Sequence, residues 1–343
     1  MHTLLHESSG KKASFPWLRV IIHDYICYMR NIKIIEVKSE IGAGTRGASL
    51  GIDALKIAAL DFMSNFFVNF PSDVIETENR LLYEPVESPY AKRIQGVKTM
   101  YERVAKGVES NLKSGLFPLV LAGDHSSAGG TIAGIRMAKP KSRLGVIWID
   151  AHADLHSPYT TPSGNMHGMP LCVSIGEDNL DCQVHQPDEK TVKTWNELKN
   201  LGGICPKVRP EDIVFISLRD TEKEEDFLIK KYGIKVIPVS EVRKKGVEQV
   251  VRQSLLSLQH CDDIYVSFDV DSLDSSISRG TGTPVPNGVK EREAEDLLAS
   301  LMQNHKICCF EITEVNPTLD KENLMAEIAF NVLQRSVNIL LVN

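Results

Sequence analysis

Three short segments of the sequence concentrate carboxylates and imidazoles, and in two of them these polar residues alternate with small or apolar ones. Alternate residues of an extended chain project to the same side, so such spacing can direct several ligands at one point. Four carboxylates and two imidazoles form an oxygen-rich set, which suits Mn²⁺ and related octahedral ions better than a thiolate zinc site would. The six candidate metal ligands are His125, Asp150, His152, Asp154, Asp269 and Asp271.

The charge of this candidate set predicts two metal ions rather than one. Four carboxylates clustered without cations would repel one another, and some would stay protonated at neutral pH. Two divalent cations would neutralise all four. A water held between two such ions would lose a proton near neutral pH, since a single zinc already lowers the pKa of its bound water to roughly 7. The sequence therefore predicts a hydroxide that attacks an electrophilic carbon.

Each polar segment directly follows an apolar run that is typical of a buried strand. The four runs are Phe117–Ala122, Leu144–Ile149, Ile264–Phe268 and Ile307–Ile312. The segments that follow them begin at Gly123, Asp150, Asp269 and Glu314. Ligands bind at the carboxyl ends of the strands in parallel sheets, so we expect the four segments to meet at one edge.

Further apolar runs and helical patterns predict the fold class. The other strand-like runs are Ile32–Val37, Ile213–Leu218, Ile234–Ile237 and a weaker one near Ser72–Ile75. Helical patterns lie at Ala91–Leu112, Glu222–Lys231, Val242–Leu258 and Glu291–Gln303. Continuous apolar runs suit strands buried on both faces. We predict a single α/β domain with about eight strands in a mainly parallel sheet and helices on both faces.

The regular alternation of strand and helix begins only at Ile32, which sets the predicted domain boundary. We treat residues 1–31 as an N-terminal arm of unknown role and residues 32–343 as the catalytic domain. An alternative is that translation starts naturally at Met29. Within the domain, the stretch Ser157–Pro187 contains Pro and Gly and is expected to be a long functional loop.

Composition excludes several classes of function. The chain has 343 residues, 42% of them hydrophobic, and a mixed net charge of −6 with no long basic run. We therefore expect no nucleic-acid and no membrane partner. The apolar stretch Phe15–Met29 carries three polar residues and lacks a small-residue cleavage site, so it predicts neither a signal peptide nor a membrane span. The seven scattered cysteines are expected to be reduced, mostly in the core, in a cytoplasmic protein.

Six motifs, taken in order, resemble those of one enzyme family. They are AGDHS (Ala122–Ser126), DAHADLHSP (Asp150–Pro158), SGNMHG (Ser163–Gly168), SFDVDSLD (Ser267–Asp274), GTGTPVPNG (Gly280–Gly288) and EITEVNP (Glu311–Pro317). The chain resembles the arginase branch of the ureohydrolases, binuclear manganese enzymes that hydrolyse guanidino compounds to urea and an amine. The resemblance implies an arginase-like fold, two Mn(II) per chain and a homo-oligomer, either a trimer or a hexamer.

The resemblance also implies roles for individual residues. One metal would be completed by His125 and Asp154, the other by His152 and Asp271, and both would be bridged by Asp150 and Asp269. His167 matches a histidine that shuttles protons, which a departing amine requires. Glu314 matches the carboxylate that holds the guanidinium, since a planar fork of N–H donors pairs well with a carboxylate. Asp154 is counted with these two as catalytic.

The same resemblance implies which residues contact the substrate. They are His156, Ser163, Asn165, Glu222 and Thr283. Two of them depart from the commonest family pattern, which has Asn in place of His156 and Asp in place of Glu222. A neutral histidine offers a single N–H where an amide donates freely, and glutamate is one methylene longer than aspartate. We expect carboxylate recognition to survive with altered strength or pH dependence.

The function predicted from these residues is metal-dependent hydrolysis of a guanidino group. The leading substrate is L-arginine, converted to L-ornithine and urea, because Ser163 and Asn165 would have no use in a substrate that lacks an α-carboxylate. The first alternative is an agmatinase or a guanidino-acid ureohydrolase. The second is a non-catalytic relative of the same fold or a one-metal deacylase, against which stands the full complement of six ligands.

Overall fold

A computed structural model of the chain describes residues 30–342, and its centre is one sheet of eight strands. The strands are β1 (Ile32–Val37), β2 (Ser72–Val74), β3 (Phe117–Ala122), β4 (Leu144–Ile149), β5 (Ile213–Ile216), β6 (Lys235–Ile237), β7 (Asp263–Asp269) and β8 (Ile307–Thr313). Their spatial order is β2-β1-β3-β8-β7-β4-β5-β6, and every pairing is parallel. The predicted single α/β domain is confirmed, and its sheet is wholly rather than mainly parallel.

Helices connect and cover the strands. They are α1 (Gly51–Asp61), α2 (Phe66–Asn69), α3 (Ile94–Lys113), α4 (Ala128–Ala138), α5 (Pro170–Ile175), α6 (Glu189–Lys199), α7 (Lys223–Tyr232), α8 (Val239–Lys245), α9 (Val247–Ser257), α10 (Glu291–Met302) and α11 (Leu324–Val342). Short 3₁₀ turns add to these at several strand ends, among them His125–Ser127 after β3 and Val270–Ser272 after β7.

Two predictions about these elements were wrong. The helix expected over Val242–Leu258 is divided into α8 and α9 by Gly246, whose φ of 80° and ψ of 158° lie in a region that is essentially open only to glycine. The expected loop Ser157–Pro187 contains the buried helix α5, which ends at Gly176 in the left-handed conformation. The predicted arm over residues 1–31 falls outside the described residues except for its last two positions.

Alternate residues of each central strand face two different apolar cores. In β4, Ile147 and Ile149 join the core beneath α1, α9, α10 and α11, whereas Val146 and Trp148 join the core beneath α3, α4, α6 and α7. Every residue of β3, β4 and β8 is buried. Burial on both faces explains why these strands could be predicted from continuous apolar runs. It also holds their carboxyl ends rigidly in place for the polar segments that follow.

The C-terminal helix and the cysteines belong largely to this core. Within residues 30–342, one helix, α11, is long and apolar enough to cross a membrane, and 56% of its most apolar window is buried inside the fold. It packs against α1 and α10, as a core helix does. The six described cysteines are free thiols, and four of them are buried, as expected. Cys27 lies outside the described residues.

Candidate active site

The four polar segments meet because the strands that carry them are consecutive neighbours in the sheet. The spatial run β3-β8-β7-β4 forms its centre, although these strands are far apart in the sequence. Register aligns their ends, since Ile149 pairs with Phe268 and Asp269 pairs with Thr313. Residues that follow these positions therefore emerge side by side at one edge of the sheet, as expected for a parallel α/β site.

His125 is held so that one ring nitrogen faces the carboxylates. Its ring stacks on Trp148 with 4.1 Å between centroids and an interplanar angle of 6°. On one side, Nε2 lies 2.7 Å from the hydroxyl of Ser267. On the other side, Nδ1 lies 3.0 to 3.2 Å from one oxygen of each of three carboxylates, those of Asp150, Asp154 and Asp269. These contacts fix the ring plane and aim Nδ1 into the cluster.

His152 forms the second half of the cluster with the remaining carboxylate. Its Nδ1 lies 3.0 Å from Asp271 Oδ2 and 3.5 Å from Asp150 Oδ1. The backbone N–H of His152 donates to the same Oδ1 at 2.7 Å, which restrains the Asp150 side chain. Asp150 thus reaches His125 with one oxygen and His152 with the other, so it lies between the two halves.

Without metal ions, burial disfavours the ionised form of most of these carboxyl groups. Burial, followed by the charges of Asp271 and Asp150, raises the pKa of Asp269 well above its usual value. Burial and Asp150 raise the pKa of Asp271 to about 6, and burial and Asp150 also raise the pKa of Asp154. Burial would lower the pKa of His125, but its three carboxylate neighbours outweigh burial and raise it. The site therefore retains protons unless another source of positive charge replaces them.

The arrangement of the donor atoms suits metal binding better than hydrogen bonding among the side chains. His125 Nδ1 and Asp150 Oδ2 are buried and 3.0 Å apart, yet the angles between them make no hydrogen bond. Two groups of ligand atoms are close enough to share an ion, namely His125 with Asp150 and Asp154, and Asp150 with His152 and Asp271. Asp269 belongs to neither group, so the partition of ligands implied by the family resemblance stays a prediction. Oxygen-rich groups of this kind suit divalent cations.

A histidine and a glutamate lie together beside the cluster. His167 Nδ1 is 3.0 Å from Glu314 Oε1, and the same oxygen accepts the backbone N–H of His125 at 2.9 Å. Burial would lower the pKa of His167, but the hydrogen bond and charge of Glu314 outweigh burial and raise it to about 9. Burial would raise the pKa of Glu314, but His167 lowers it. The pair is thus an ionised carboxylate with a protonated imidazole at neutral pH.

Two residues of the site hold backbone conformations that side chains rarely adopt. Asp154 has a φ of 51° and Glu314 a φ of 66°, both in the left-handed region. Such positions cost on the order of 1–3 kcal/mol each and are concentrated at functional sites. Each directs its carboxylate back towards the sheet edge, where the other ligands converge.

A cavity of about 480 Å³ leads from the cluster to the surface. Five of the six candidate ligands line it, all except Asp150, and so does His167. Glu314 does not line the cavity and lies behind His167. All five residues expected to contact substrate line it, and they are His156, Ser163, Asn165, Glu222 and Thr283. Thr283 also donates its hydroxyl to Asp271 Oδ2 at 3.0 Å, which ties this part of the wall to the cluster.

The two residues that depart from the family pattern contact each other. His156 Nε2 lies 3.1 Å from Glu222 Oε2, and because a carboxylate only accepts, that nitrogen carries a proton. Glu222 also caps helix α7 in a capping box with Glu225. The hydrogen bond to His156 lowers the pKa of Glu222 to about 2, and burial raises the pKa of Glu225 to about 8.

Several residues of the cavity were not singled out from the sequence. Thr161, Asp220 and Glu225 line it as well. Arg219 lies beneath the wall, and its guanidinium donates to the carbonyl oxygens of five residues in three loops: Ser217, Asp271, Leu273, Val285 and Pro286. The signal for Arg219 and Asp220 was available, because both follow β5 at the same sheet edge as the other polar segments.

Comparison with known proteins gives a consistent result. The family model described as the arginase family matches residues 30–337. An arginase from Brevibacillus brevis is 36% identical over 312 residues, which cover 88% of this chain and 95% of that protein. The crystal structures of arginases from Bacillus subtilis and Bacillus caldovelox superpose with TM-scores of 0.77 and 0.76, at 33% and 34% identity. Each comparison covers 90% of this chain and 98% of the other.

Proposed function

The chain belongs to the arginase family, and from that premise we propose that it hydrolyses L-arginine to L-ornithine and urea. In this reaction the bond between the guanidino carbon and the ornithine nitrogen breaks, and the oxygen of water bonds to the carbon. One observation carries the proposal: a single cavity is lined by five of the six candidate ligands and by all five residues expected to contact the substrate. The metal centre and the amino-acid end of the substrate would thus lie in one space.

We propose that the metal ions are two Mn²⁺, because the ligand set is rich in carboxylate oxygen and contains no thiolate. One ion would be held by His125 and Asp154, the other by His152 and Asp271, and both by Asp150 and Asp269. When bound, the two ions would supply hydroxide at neutral pH by lowering the pKa of a water between them. Replacement of retained protons by cations also removes the repulsion within the cluster.

The His167–Glu314 pair would act on the charge of the guanidinium and on the proton that the leaving amine needs. The carboxylate of Glu314 stays ionised because its pKa is lowered. In this structure it contacts His167 rather than the cavity, so it would have to exchange that contact in order to pair with the planar N–H fork of a guanidinium. His167 lines the cavity and is protonated at neutral pH, because its pKa is raised to about 9. It can therefore give a proton to the departing ornithine amine, which would otherwise be a poor leaving group.

The outer cavity would recognise the α-substituents of the amino acid. Ser163 and Asn165 offer hydroxyl and amide donors for the α-carboxylate. The Nε2–H of His156 is engaged by Glu222 and would have to leave that contact to bind the same carboxylate. Glu222, whose pKa is lowered to about 2, provides negative charge for the α-ammonium. A substrate without an α-carboxylate would leave the donors of Ser163 and Asn165 unused, which favours arginine over agmatine.

Urea release after loading with manganese tests the proposed function. We compare L-arginine, agmatine and 4-guanidinobutyrate as substrates, and we expect L-arginine to have the highest kcat/KM. The Ser163→Ala variant should lose much of its activity on arginine, whereas its activity on agmatine should change little. A higher kcat/KM for agmatine than for arginine would reassign the chain to agmatine hydrolysis, and no urea from any of the three would refute the proposal.

We propose from the family resemblance that the protein is cytoplasmic and forms a homotrimer or hexamer. Sedimentation equilibrium of the manganese-loaded protein tests the second statement. A mass of three or six chains supports it, and a mass of one chain contradicts it.

A further inference from the structure

A lysine outside every sequence motif contacts the residue expected to recognise the substrate carboxylate. Lys92 lies in the loop that precedes α3, and its side chain is half-buried. Its Nζ donates to Asn165 Oδ1 at 3.1 Å. Asn165 lines the cavity, whereas Lys92 does not, so the cation lies behind the amide as seen from the substrate.

This contact determines which way the Asn165 amide points. An ammonium group only donates hydrogen bonds, so the amide must turn its oxygen towards Lys92 and its nitrogen away. The nitrogen then lies over Gly44, where an added Cβ would come within 2.6 Å of Nδ2. The amide is therefore held by a cation on its oxygen side and by close backbone on its nitrogen side. Such an amide can offer only N–H donors to a ligand.

The backbone around Lys92 supports the same loop. The N–H of Lys92 donates to Gly164 O at 2.8 Å. Two residues earlier, the ring of Tyr90 stacks on His185 with 4.1 Å between centroids, and His185 Nε2 donates to Thr161 O at 2.8 Å. The segment that contains Lys92 thus contacts the substrate-binding loop at several points, and its position relative to Asn165 is well defined.

We propose that Lys92 is a positioning residue that makes the enzyme selective for guanidino substrates that carry a carboxylate. The inference rests on the proposed function, since it assigns Asn165 to the substrate carboxylate. Two physical effects act together. Lys92 engages the amide oxygen, so that only the N–H groups remain to bind a ligand, and its charge polarises the amide so that these N–H groups become stronger donors. It also places a positive charge near the carboxylate without direct contact.

Replacement of Lys92 by methionine keeps most of the side-chain volume and removes the charge and the donor. The Asn165 amide can then turn its oxygen towards the cavity, where it would repel a carboxylate. We expect the KM for L-arginine to rise about tenfold, which corresponds to the loss of one charge-assisted hydrogen bond. The kcat for arginine and the kcat/KM for agmatine should change less than about twofold, because neither depends on carboxylate binding.

Lys98→Met provides a matched control on the following helix. Lys98 is also partly buried, but it pairs with Glu102 at 2.8 Å on the surface rather than with a cavity residue. This variant should retain the KM of the unmodified enzyme. Lys92→Arg should restore most of the arginine affinity, since arginine also donates to the amide oxygen. Thermal unfolding of all three variants identifies any general loss of structure.

A double-mutant cycle with Asn165→Ala decides whether Lys92 acts through Asn165. If it does, Lys92→Met should have little further effect on the KM for arginine in the Asn165→Ala background. Fully additive effects, or a Lys92→Met variant that behaves like Lys98→Met, would overturn the proposal. Calorimetry with L-ornithine and with putrescine measures the same selectivity without turnover. This experiment separates failure of the Lys92 proposal from failure of arginine hydrolysis itself.

Discussion

At the scale of single residues, the site depends on side chains that fix the ligands as much as on the ligands themselves. Ser267 is an example, because its hydroxyl is 2.7 Å from His125 Nε2 and so leaves Nδ1 free to face the carboxylates. Groups that orient a metal ligand from behind typically contribute 10- to 100-fold to metal affinity or activity. Arg219 has a comparable role for the loops that bear Asp271 and Val285.

The Ser267→Ala variant tests this role. We expect it to bind Mn²⁺ about 10- to 100-fold more weakly, because the His125 ring loses the partner that sets its tautomer and orientation. Metal titration followed by calorimetry measures the change. Ser257→Ala, at the partly buried C-terminal end of α9, is the control and should bind manganese like the unmodified protein. Equal affinity of the two variants would show that Ser267 does not orient the ligand.

Sequence alone allowed the six ligand candidates to be predicted, because alternate carboxylates and imidazoles after apolar runs are a local pattern. Their assigned roles stay predictions, although the structure brings all six together at one sheet edge. Lys92 and Ser267 were not predicted, because each acts through a contact with a residue far away in the chain. No local pattern signals such contacts.

At the scale of elements, the strands are tied together at the end opposite to the site. Asp212 precedes β5 and is fully buried, and its carboxylate accepts from the Arg143 guanidinium at 2.7 and 2.8 Å. His260, shortly before β7, lies 2.6 Å from the same carboxylate. Burial would raise the pKa of Asp212, but Arg143 and His260 outweigh burial and lower it. The cluster therefore connects β4, β5 and β7 at their amino ends.

The contribution of this cluster to the free energy of unfolding should depend on pH. A carboxyl group whose pKa is lowered in the folded state stabilises it above the unfolded pKa, which is about 3.9 for aspartate, and the contribution is lost as the pH falls. At pH 7, Asp212→Asn should lower the free energy of unfolding by about 1–3 kcal/mol. Below about pH 4 the difference from the unmodified protein should shrink.

Urea denaturation at several pH values measures this difference. Glu211→Gln is a suitable control, since Glu211 is half-exposed and 3.7 Å from Arg143, and its replacement should have little effect at any pH. A difference for Asp212→Asn that stays constant between pH 7 and pH 3 would contradict the assignment of a charged, hydrogen-bonded carboxylate.

The elements that sequence analysis found most reliably were those with simple patterns. The bounds of β1, β3 and β4 were predicted as observed, because continuous apolar runs mark strands buried on both faces. Helices α1, α2, α4, α5, α6 and α11 were not identified. Helix α4 has three glycines in eleven residues, and α11 is apolar on most sides, so neither has a clear amphipathic period.

At the scale of the whole molecule, the site arises from the order of the strands. The sequence runs β3, β4, β7, β8, but the sheet places β8 and β7 between β3 and β4. This order brings together residues that are up to 189 positions apart, such as His125 and Glu314. Strand order depends on the packing of the complete sheet, so it could not be obtained from local patterns. From the sequence, the polar segments could be predicted only to share one edge of the sheet.

The buried charges predict that metal loading stabilises the complete protein. A ligand present at 100 times its Kd stabilises the folded state by about 2.7 kcal/mol per site. Thermal unfolding of metal-free protein should therefore shift upwards by several degrees when Mn²⁺ is added. Asp150→Asn should lose most of this shift, because Asp150 belongs to both groups of ligands. An equal shift in that variant would contradict the shared role of Asp150.

Titration of metal-free protein with Mn²⁺ tests the proposed two-metal centre and its hydrolysis of arginine in one experiment. Urea formation from L-arginine is measured at each addition, together with the metal bound per chain. We predict that activity rises until two ions are bound per chain and then stays constant. Full activity with one ion per chain, or no urea at two, would contradict it.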